Sequence, residues 1–340
     1  MKNDLNRLKQ INDIVIFADK SNNKYCASKS DYTNEVRNYV TSNYKKVDEN
    51  RVMKSNKEAA QISKDLELDD TMEGHTPSNC FITIKDHKEN FPSEISARLI
   101  APSKSDIGKV SKIILQKIIS DLNAKIRLNQ WRDPAEVTQW FVNFKCKRKA
   151  MFLKFDIINF YPTIKKELLL RALDFAKTHT FINNKDIQII LQARQSFLYH
   201  QDEPWAKIGS EDFDVPMGSF DGAEICEIVG LYLLHSITQK RKGIVNSERI
   251  GIYRDDGLII VRGGSSECER ISKKLHKLFK EEKLSITTEK GKKGTDFLNL
   301  YLDLEHKCYR QWKEPNNELI YVHKCLVHLP GQNIFCPGQY

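Results

Sequence analysis

The chain has 340 residues, 54 of them basic and 45 acidic, which gives a formal charge of +9 and an isoelectric point near 9.0. Because 40% of the residues are hydrophobic, the composition supplies a core and excludes a disordered tail or a fibrous repeat. The longest apolar run, residues 228–234, is far shorter than the roughly 20 residues that cross a bilayer, and the polar N-terminus lacks a signal peptide. We therefore expect a soluble, intracellular protein without a membrane partner, made of one large or two to three modest domains.

Cysteine spacing and charge distribution indicate which kinds of metal site, disulfide and binding partner to expect. The eight cysteines are scattered without a C-x-x-C pair, so we expect reduced thiols and neither a zinc ribbon nor a disulfide framework. Residues 101–150 hold eleven Lys and Arg residues against four acidic ones. Such a basic stripe favours a polyanionic partner, although a solvated surface has the same composition.

The first half of the chain alternates short apolar runs with one long amphipathic segment. Residues 51–79 are charged and end in a Gly- and Pro-containing stretch, which predicts a linker or an exposed loop. The apolar periodicity predicts strands at 14–17, 81–84 and 97–100, and helices at about 31–44 and 106–128.

The second half contains the strongest strand signals. An apolar run at 151–157 suits a central buried strand. Two β-type runs at 249–253 and 258–261 flank an Asp-Gly turn and predict a hairpin. Helices are predicted at 164–177, 185–199, 220–240 and 266–282, and further strands near 284–288, 296–304, 308–311 and 319–323. This order predicts an α+β fold, a mixed sheet covered by helices.

Two acidic positions lie where a sheet would present them to solvent. Asp156 ends the apolar strand, and Asp255 and Asp256 lie in the hairpin. Taken singly, these residues suit a strand cap and a turn. If the strands are neighbours, the three carboxylates repel each other unless a cation is present. An all-oxygen site suits Mg²⁺ or Mn²⁺, and two such ions about 3.5–4 Å apart would activate a 3′-hydroxyl and stabilise a leaving pyrophosphate.

The order of these motifs resembles a known enzyme family. Asp156 is followed by the pair Phe160-Tyr161, then by a small-residue turn at Gly218, then by Tyr253-Arg254-Asp255-Asp256. This pattern resembles the palm of reverse transcriptases. Further segments are similar to those of Penelope-like retroelements, and together they cover roughly residues 12–330. These segments are 14–20 followed by 31–32, 85–88 followed by 98–100, 215–219, 296–300 and 309–323.

The resemblance implies a right-hand polymerase architecture of fingers and palm. It divides the chain into an N-terminal extension (1–78), fingers (79–150), a palm with interleaved fingers segments (151–305), and post-palm strands with the truncated start of a thumb (306–340). The thumb is expected to be absent or truncated. Ser21 and Asn299 depart from the family pattern, in which Gly and Asp are usual.

The resemblance also implies catalytic roles. Asp156 and Asp255 would bind two Mg²⁺ or Mn²⁺ ions, with the Ile157 carbonyl as a further ligand and Asp256 completing the acidic cluster. Lys290 would protonate the pyrophosphate, a role for which the neighbouring lysines at 292 and 293 compete.

Further residues would select and hold the incoming nucleotide. Tyr161 would lie beneath the sugar and exclude a 2′-hydroxyl, although a core aromatic is the plainer alternative. Gly218 and Ser219 would open the helix that lies against the templating base and the nucleotide, or serve as an ordinary cap.

The positive residues would bind phosphates. Arg98 is the best candidate to bind the triphosphate, because a guanidinium matches phosphate oxygens, and Lys85 and Lys104 would assist. The basic segments 104–149 and 270–283 would bind an RNA template and a DNA primer through their backbones.

The resulting hypothesis is an RNA-directed DNA polymerase of a Penelope-like retrotransposon that extends a primer with dNTPs, with no evident protein partner. The retroelement resemblance implies a nuclear as well as a cytoplasmic location. Two alternatives stay open: a catalytically inactive or co-opted remnant that binds nucleic acid, and an RNA-templated RNA polymerase on the same palm. The intact acidic residues argue against the first alternative, and Tyr161 argues against the second.

Overall fold

The computed structural model describes residues 13–21, 23–65, 67, 78–88, 90–102, 105–144, 150–239 and 243–311. None of the helices in these ranges is long and apolar enough to cross a membrane. The described residues form two compact units. Unit 1 comprises those up to Asp106 together with Gln195–Ser219, and unit 2 comprises Ile107–Arg194 together with those from Phe220 onwards.

Helices and strands alternate along the chain. The helices are α1 (Lys29–Asn43), α2 (Glu49–Asp65), α3 (Asp106–Lys125), α4 (Pro134–Asn143), α5 (Phe160–Thr163), α6 (Lys166–Lys177), α7 (Asn184–Gln192), α8 (Gly222–Gln239) and α9 (Ser265–Glu281). The strands are β1 (Asp13–Phe17), β2 (Lys24–Ser28), β3 (Tyr44–Lys46), β4 (Phe81–Ile84), β5 (Ala97–Ile100), β6 (Asn129–Gln130), β7 (Ala150–Ile157), β8 (Leu198–His200), β9 (Glu203–Lys207), β10 (Ile250–Tyr253), β11 (Asp256–Arg262), β12 (Ile286–Lys292), β13 (Gly294–Phe297), β14 (Leu300–Asp303) and β15 (Cys308–Gln311).

Unit 1 is built from small antiparallel sheets packed on α1. The hairpins β1–β2 and β4–β5 meet at a bridge between Ala18 and Ile84, and β3, β9 and β8 form a separate three-stranded sheet. Ser28 caps α1 by accepting a hydrogen bond from the Asp31 N–H at 3.2 Å. The apolar residues of the hairpins and of α1 form one core, to which the fully buried Val40 belongs.

Unit 2 is organised around a five-stranded sheet in the order β12-β7-β11-β10-β6. The central strand β7 is antiparallel to both neighbours, and its near-continuous apolar sequence suits its buried position. Because side chains alternate along a strand, Phe155 faces α9, where it packs against Phe279 at 5.5 Å. Phe152 lies on the other face, against Phe141 of α4.

Helix α8 is buried on most sides, since its residues from Ile225 to Ile237 include eight core positions. It begins at Gly222, directly after Asp221, whose carbonyl accepts the first helical hydrogen bond from the Ile225 N–H at 2.9 Å. The buried Asp221 carboxylate is held by Arg194 and by the hydroxyl of Ser111. A charge buried in this way requires such partners.

Most predicted elements are present, and several predictions are wrong. The strand predicted near 296–304 is two antiparallel strands, β13 and β14, in which Phe297 pairs with Leu300. The linker predicted at 51–79 contains α2, which was missed because this helix is charged and buries little apolar surface. The helix predicted at 185–199 ends at Gln192, and Leu198–His200 is a strand. The hairpin turn is Arg254-Asp255, which lies within the predicted turn at 254–257, and Asp256 and Gly257 already belong to β11, because Tyr253 pairs with Asp256. The strand predicted at 319–323 lies outside the described residues.

Candidate active site

Strand register brings the predicted carboxylates together in unit 2. Asp156 on β7 and Asp256 on β11 are direct partners across the antiparallel pair, so their side chains project from the same face of the sheet. Asp255 precedes Asp256 in the hairpin turn, and all three residues are half-buried. We call Asp156, Asp255 and Asp256 the acidic edge.

The backbone fixes the acidic edge from both sides. The Ile157 N–H donates a hydrogen bond to the Asp255 carbonyl at 2.9 Å, which ties the hairpin turn to the end of β7. In the turn, Arg254 has a φ of 53°, a left-handed conformation that is uncommon for a residue with a side chain. Its guanidinium lies 5.4 Å from the centre of the Tyr253 ring.

Gly257 is required beneath the ring of Phe155. A Cβ at this position would lie 2.0 Å from the Phe155 Cζ, closer than any real contact. The ring therefore rests on the bare backbone of β11, on the sheet face opposite the acidic edge. The two strands that carry the carboxylates are thus locked together by backbone pairing and by this aromatic contact.

The chemistry of the acidic edge suits a hard divalent cation. Like charges directly opposed on a sheet destabilise it, and the donors are all oxygen atoms, which Mg²⁺ and Mn²⁺ prefer. In the part of the chain that the structure describes, no group of three or more acidic, His or Cys side chains is arranged so that it could hold a metal ion. The acidic edge therefore offers the donor atoms that such a cation prefers, without forming a metal site in this arrangement.

Tyr161 lies beside the acidic edge and contacts Cys226 of α8. Burial raises the pKa of the Tyr161 phenol, and the adjacent Cys226 thiol and Asp255 carboxylate raise it further, whereas Arg254 lowers it. Burial also raises the pKa of the Cys226 thiol, which is fully buried. Tyr161 is therefore a neutral phenol, with its hydroxyl against the thiol and its residue half-buried.

The structure does not bring Lys290 to the acidic edge. Lys290 pairs with Leu153 on β7, and its ammonium forms an ion pair with Glu269 of α9. It therefore projects from the α9 face, whereas Asp156 projects from the other. The sequence predicted the strand that carries Lys290, but it could not show from which face of the sheet the Lys290 side chain projects.

Gly218 and Ser219 lie in unit 1, in a turn that closes three residues before α8 begins. Gly218 has a φ of +112°, and a Cβ there would lie 2.7 Å from the Ala101 carbonyl oxygen. The Ser219 hydroxyl donates to the Pro216 carbonyl at 3.1 Å. The expectation that these residues open the helix is wrong, because the residue at the cap is Asp221. Only glycine fits the close approach to residue 101.

Arg98 and Lys85 also belong to unit 1, on and next to the β4–β5 hairpin. The Arg98 Nη1 donates to the Asp19 Oδ1 at 2.5 Å. Burial lowers the pKa of Lys85, and the charges of Arg98 and Lys88 lower it further. Lys104, the third residue predicted to bind phosphate, lies outside the described residues.

Helix α9 presents a basic outer face. Its apolar residues Cys268, Ile271, Leu275, Leu278 and Phe279 are buried, and the lysines and the arginine between them are exposed: Arg270, Lys273, Lys274, Lys277 and Lys280. This separation is typical of a helix that packs on a sheet and leaves its charged side to solvent or to a polyanion.

Solved telomerase structures are similar to this chain in fold. The structure is similar to apo telomerase from Candida tropicalis, with a TM-score of 0.63, 10% identity, and coverage of 90% of this chain and 56% of that one. It is also similar to telomerase from Candida albicans in complex with a fragment of telomeric RNA, with a TM-score of 0.58, 10% identity, and coverage of 91% and 55%. The chain has a polymerase fingers and palm fold. It spans about half the length of these telomerases.

Similarity to other proteins is weaker or absent. An RNA-dependent RNA polymerase of the virus BmCPV matches with a TM-score of 0.49, 12% identity, and coverage of 75% of this chain and 23% of that one, which is too weak to carry an argument. No family model matches the sequence, and no curated protein matches it. At these identities the likeness to telomerase establishes the fold and nothing finer.

One contact in each unit was missed from the sequence. Asp19 pairs with Arg98, and Cys226 contacts Tyr161. Each contact joins residues more than sixty positions apart in different elements, and no local pattern signals it. The only hint was that residues 14–20 resemble a retroelement motif whose role was left open.

Proposed function

We propose that the protein is an RNA-directed DNA polymerase of the Penelope-like retroelement type, which extends a primer 3′-end on an RNA template. The observation that carries this proposal is the acidic edge, where Asp156 and Asp256 are directly opposed on a polymerase-type sheet beside Asp255. Directly opposed carboxylates repel each other. A divalent cation bound between them would offset this repulsion.

The acidic edge would hold two Mg²⁺ or Mn²⁺ ions. Asp156 and Asp255 would be the ligands, with the Ile157 carbonyl as a further donor and Asp256 adding negative charge. Bound divalent ions in such sites lower the pKa of a primer hydroxyl and neutralise charge on the leaving pyrophosphate. The backbone hydrogen bond between Ile157 and Asp255 would keep the hairpin turn next to the end of β7 when the ions bind.

The neutral ring of Tyr161 would select the sugar. A bulky side chain beneath the ribose obstructs a 2′-hydroxyl, which favours dNTPs over rNTPs. Its position next to Asp255 and against the buried Cys226 suits this role. Arg98 and Lys85 would bind the triphosphate. The proposal assigns no proton transfer to Lys290, because that ammonium is engaged by Glu269 on the other sheet face.

The nucleic acid would bind through phosphate contacts. The basic outer face of α9 offers a row of cations, which gives sequence-tolerant binding that weakens with salt. The similar Candida albicans telomerase was solved with an RNA fragment, and we extend this property to the present chain as part of the proposal. The domain boundaries that follow are fingers at 79–150 and palm at 151–305, with Lys104 in the fingers.

Primer extension tests the proposal directly. The purified chain is given an oligo(dT)-primed poly(rA) template, dTTP, and Mg²⁺ or Mn²⁺. We expect metal-dependent incorporation that Asp255→Ala/Asp256→Ala abolishes. Asp303→Ala, which removes an acidic residue from the separate β13–β15 sheet, is the control and should leave incorporation unchanged.

Three other outcomes have defined meanings. Salt-sensitive binding of the primer-template without incorporation would favour an inactive or co-opted remnant. Incorporation of UTP in preference to dTTP would favour the RNA polymerase alternative and overturn the role of Tyr161. Incorporation that survives the double substitution would overturn the assignment of the acidic edge.

A further inference from the structure

Arg98 is held by an acidic residue from a distant part of unit 1. Asp19 follows β1, and its N–H donates to the Ile84 carbonyl at 2.8 Å, which fixes it beside the β4–β5 hairpin. Its carboxylate accepts the Arg98 Nη1 at 2.5 Å. The Asp19 side chain is only 6% exposed, whereas that of Arg98 is 30% exposed. The pair is therefore buried on the carboxylate side and open on the guanidinium side.

Four buried polar atoms around this pair have no hydrogen-bond partner among the described residues. They are the Asp19 Oδ2, the Arg98 Nε, the Asp86 Oδ1 and the His87 Nδ1. Buried polar atoms are nearly always satisfied, and an unsatisfied one is commonly explained by a water or an ion. Of the four, the Arg98 Nε is a donor that suits an anion, whereas the two carboxylate oxygens are acceptors that suit a water molecule.

The local charge favours an anion. Lys85 interacts electrostatically with Arg98, Lys88, Asp19 and Lys20. His87 interacts in the same way with Lys20, Lys88, Asp19 and Asp86. We call Lys20, Lys85, Lys88 and Arg98 the cation cluster. Among the described residues, the acidic groups that act on Lys85 and His87 are Asp19 and Asp86, so the four cations exceed these two carboxylates by two charges.

Asp86 organises the loop that carries the lysines. Its Oδ2 accepts hydrogen bonds from Ser21 at 2.5 Å, Asn23 at 2.8 Å and Tyr25 at 2.9 Å. These bonds tie the turn after β1 to residues 85–88, and they spread the charge of Asp86 over three neutral donors. Asp86 therefore shapes the cluster and leaves the cations available.

We propose that Asp19 is a positioning residue, which orients the Arg98 guanidinium so that its exposed nitrogens bind the polyphosphate of an incoming nucleotide. A guanidinium has five donors in a rigid fork. The Nη1 is used by Asp19 and the Nε is buried, so the exposed 30% of the side chain would meet the ligand through the remaining donors. This inference rests on the proposed function, which assigns Arg98 to the triphosphate of the incoming nucleotide.

Binding of inorganic tripolyphosphate to the full chain, measured by calorimetry, tests the proposal without relying on catalysis. We expect Asp19→Asn to raise the Kd about ten-fold, since coupled charge pairs commonly carry effects of this size. Arg98→Gln should weaken binding similarly. The double variant should bind no more weakly than Arg98→Gln alone, because Asp19 acts through Arg98.

Two further variants separate positioning from general stability. Asp212→Asn breaks another Arg–Asp pair of unit 1, formed with Arg51 at 2.7 Å, and should leave the Kd unchanged. Asp19→Glu keeps the charge and should stay within about three-fold of the wild-type Kd. A loss with Asp19→Glu as large as with Asp19→Asn would overturn a role for the charge.

The remaining outcomes are also decisive. No binding by the wild-type chain, an unchanged or lower Kd for Asp19→Asn, or an added loss in the double variant would each overturn the inference. Primer extension run in parallel keeps the two proposals apart. If Asp19→Asn extends primers normally and its Kd for tripolyphosphate is unchanged, only the role of Asp19 is overturned. If the wild-type chain binds tripolyphosphate through Asp19 and Arg98 but does not extend a primer, only the polymerase proposal is overturned.

Discussion

The acidic edge of unit 2 and the cation cluster of unit 1 position their charges in different ways. At the acidic edge, the ladder between β7 and β11 sets Asp156 against Asp256, and a backbone hydrogen bond adds Asp255. In the cation cluster, side chains hold side chains: Asp19 orients Arg98, and Asp86 gathers three donors.

This difference indicates how each region responds when one of its side chains is replaced. A charge fixed by strand register keeps its place as long as the sheet is folded, even when a like charge opposes it. A charge fixed by other side chains depends on each of those partners. In this cluster, several buried polar atoms have no hydrogen-bond partner among the described residues. We therefore expect substitutions in the acidic edge to remove activity without lowering stability. Substitutions in the cation cluster should lower stability locally.

The largest expected effect separates activity from stability at the acidic edge. Asp156→Asn should lower primer extension by about 1,000-fold, because removing a metal ligand removes several kcal/mol of transition-state stabilisation. The melting temperature in a chelator should not fall by more than about 2 °C, since the substitution also removes a like-charge repulsion. Primer extension and a thermal melt measure the two quantities.

The control for this prediction is Asp296→Asn, which removes a carboxylate that pairs with Lys154 at 3.4 Å. It should leave primer extension within about three-fold of wild type, because an exposed ion pair contributes little. A large drop in the melting temperature of Asp156→Asn would mean that this residue is structural, and the contrast with the cation cluster would fail.

A stability effect of intermediate size should come from the glycine beneath the Phe155 ring. Gly257→Ala should lower the free energy of unfolding by about 3 kcal/mol, because the new methyl group would overlap the ring. Gly264→Ser is the matched control: its Cβ would meet open space, and serine suits the N-cap of α9. Urea unfolding compares the two. If both variants unfold alike, the ring does not lock the strands as described.

The smallest effect is expected in the cation cluster and should stay within unit 1. Asp86→Ala removes the acceptor of three hydrogen bonds and should cost about 2 kcal/mol of local stability. Hydrogen exchange should therefore speed up at the amides of β1 and β2 and stay unchanged in β7 and β11. Equal acceleration in both units would show that the cluster is not an independently held region.

Sequence reasoning works best where a feature is contiguous. The apolar run of β7 and the β10–β11 hairpin were predicted nearly to their ends, because periodicity and turn signals lie within a few residues. The convergence of the acidic edge was expected only on the condition that these strands pair, and the register supplies that condition.

Features that depend on distant contacts were beyond the sequence. The Asp19–Arg98 pair joins positions 79 residues apart, and nothing in either segment points to the other. The face of Lys290 follows from the register of β12 on β7, and a shift of one residue would reverse it. Helix α2 escaped prediction because Ser63 is its only buried residue, so it lacks the apolar stripe that signals a helix.

The direct pairing of Asp156 with Asp256 also has a genetic consequence. Because side chains alternate with a period of two, a single inserted or deleted codon within β7 or β11 would send one carboxylate to the opposite face of the sheet. Lineages that copy this gene should therefore accumulate length changes in the segments between these strands, and the strands themselves should change only by substitution. Counting in-frame insertions and deletions across related copies would reveal which ones are still under selection for the acidic edge.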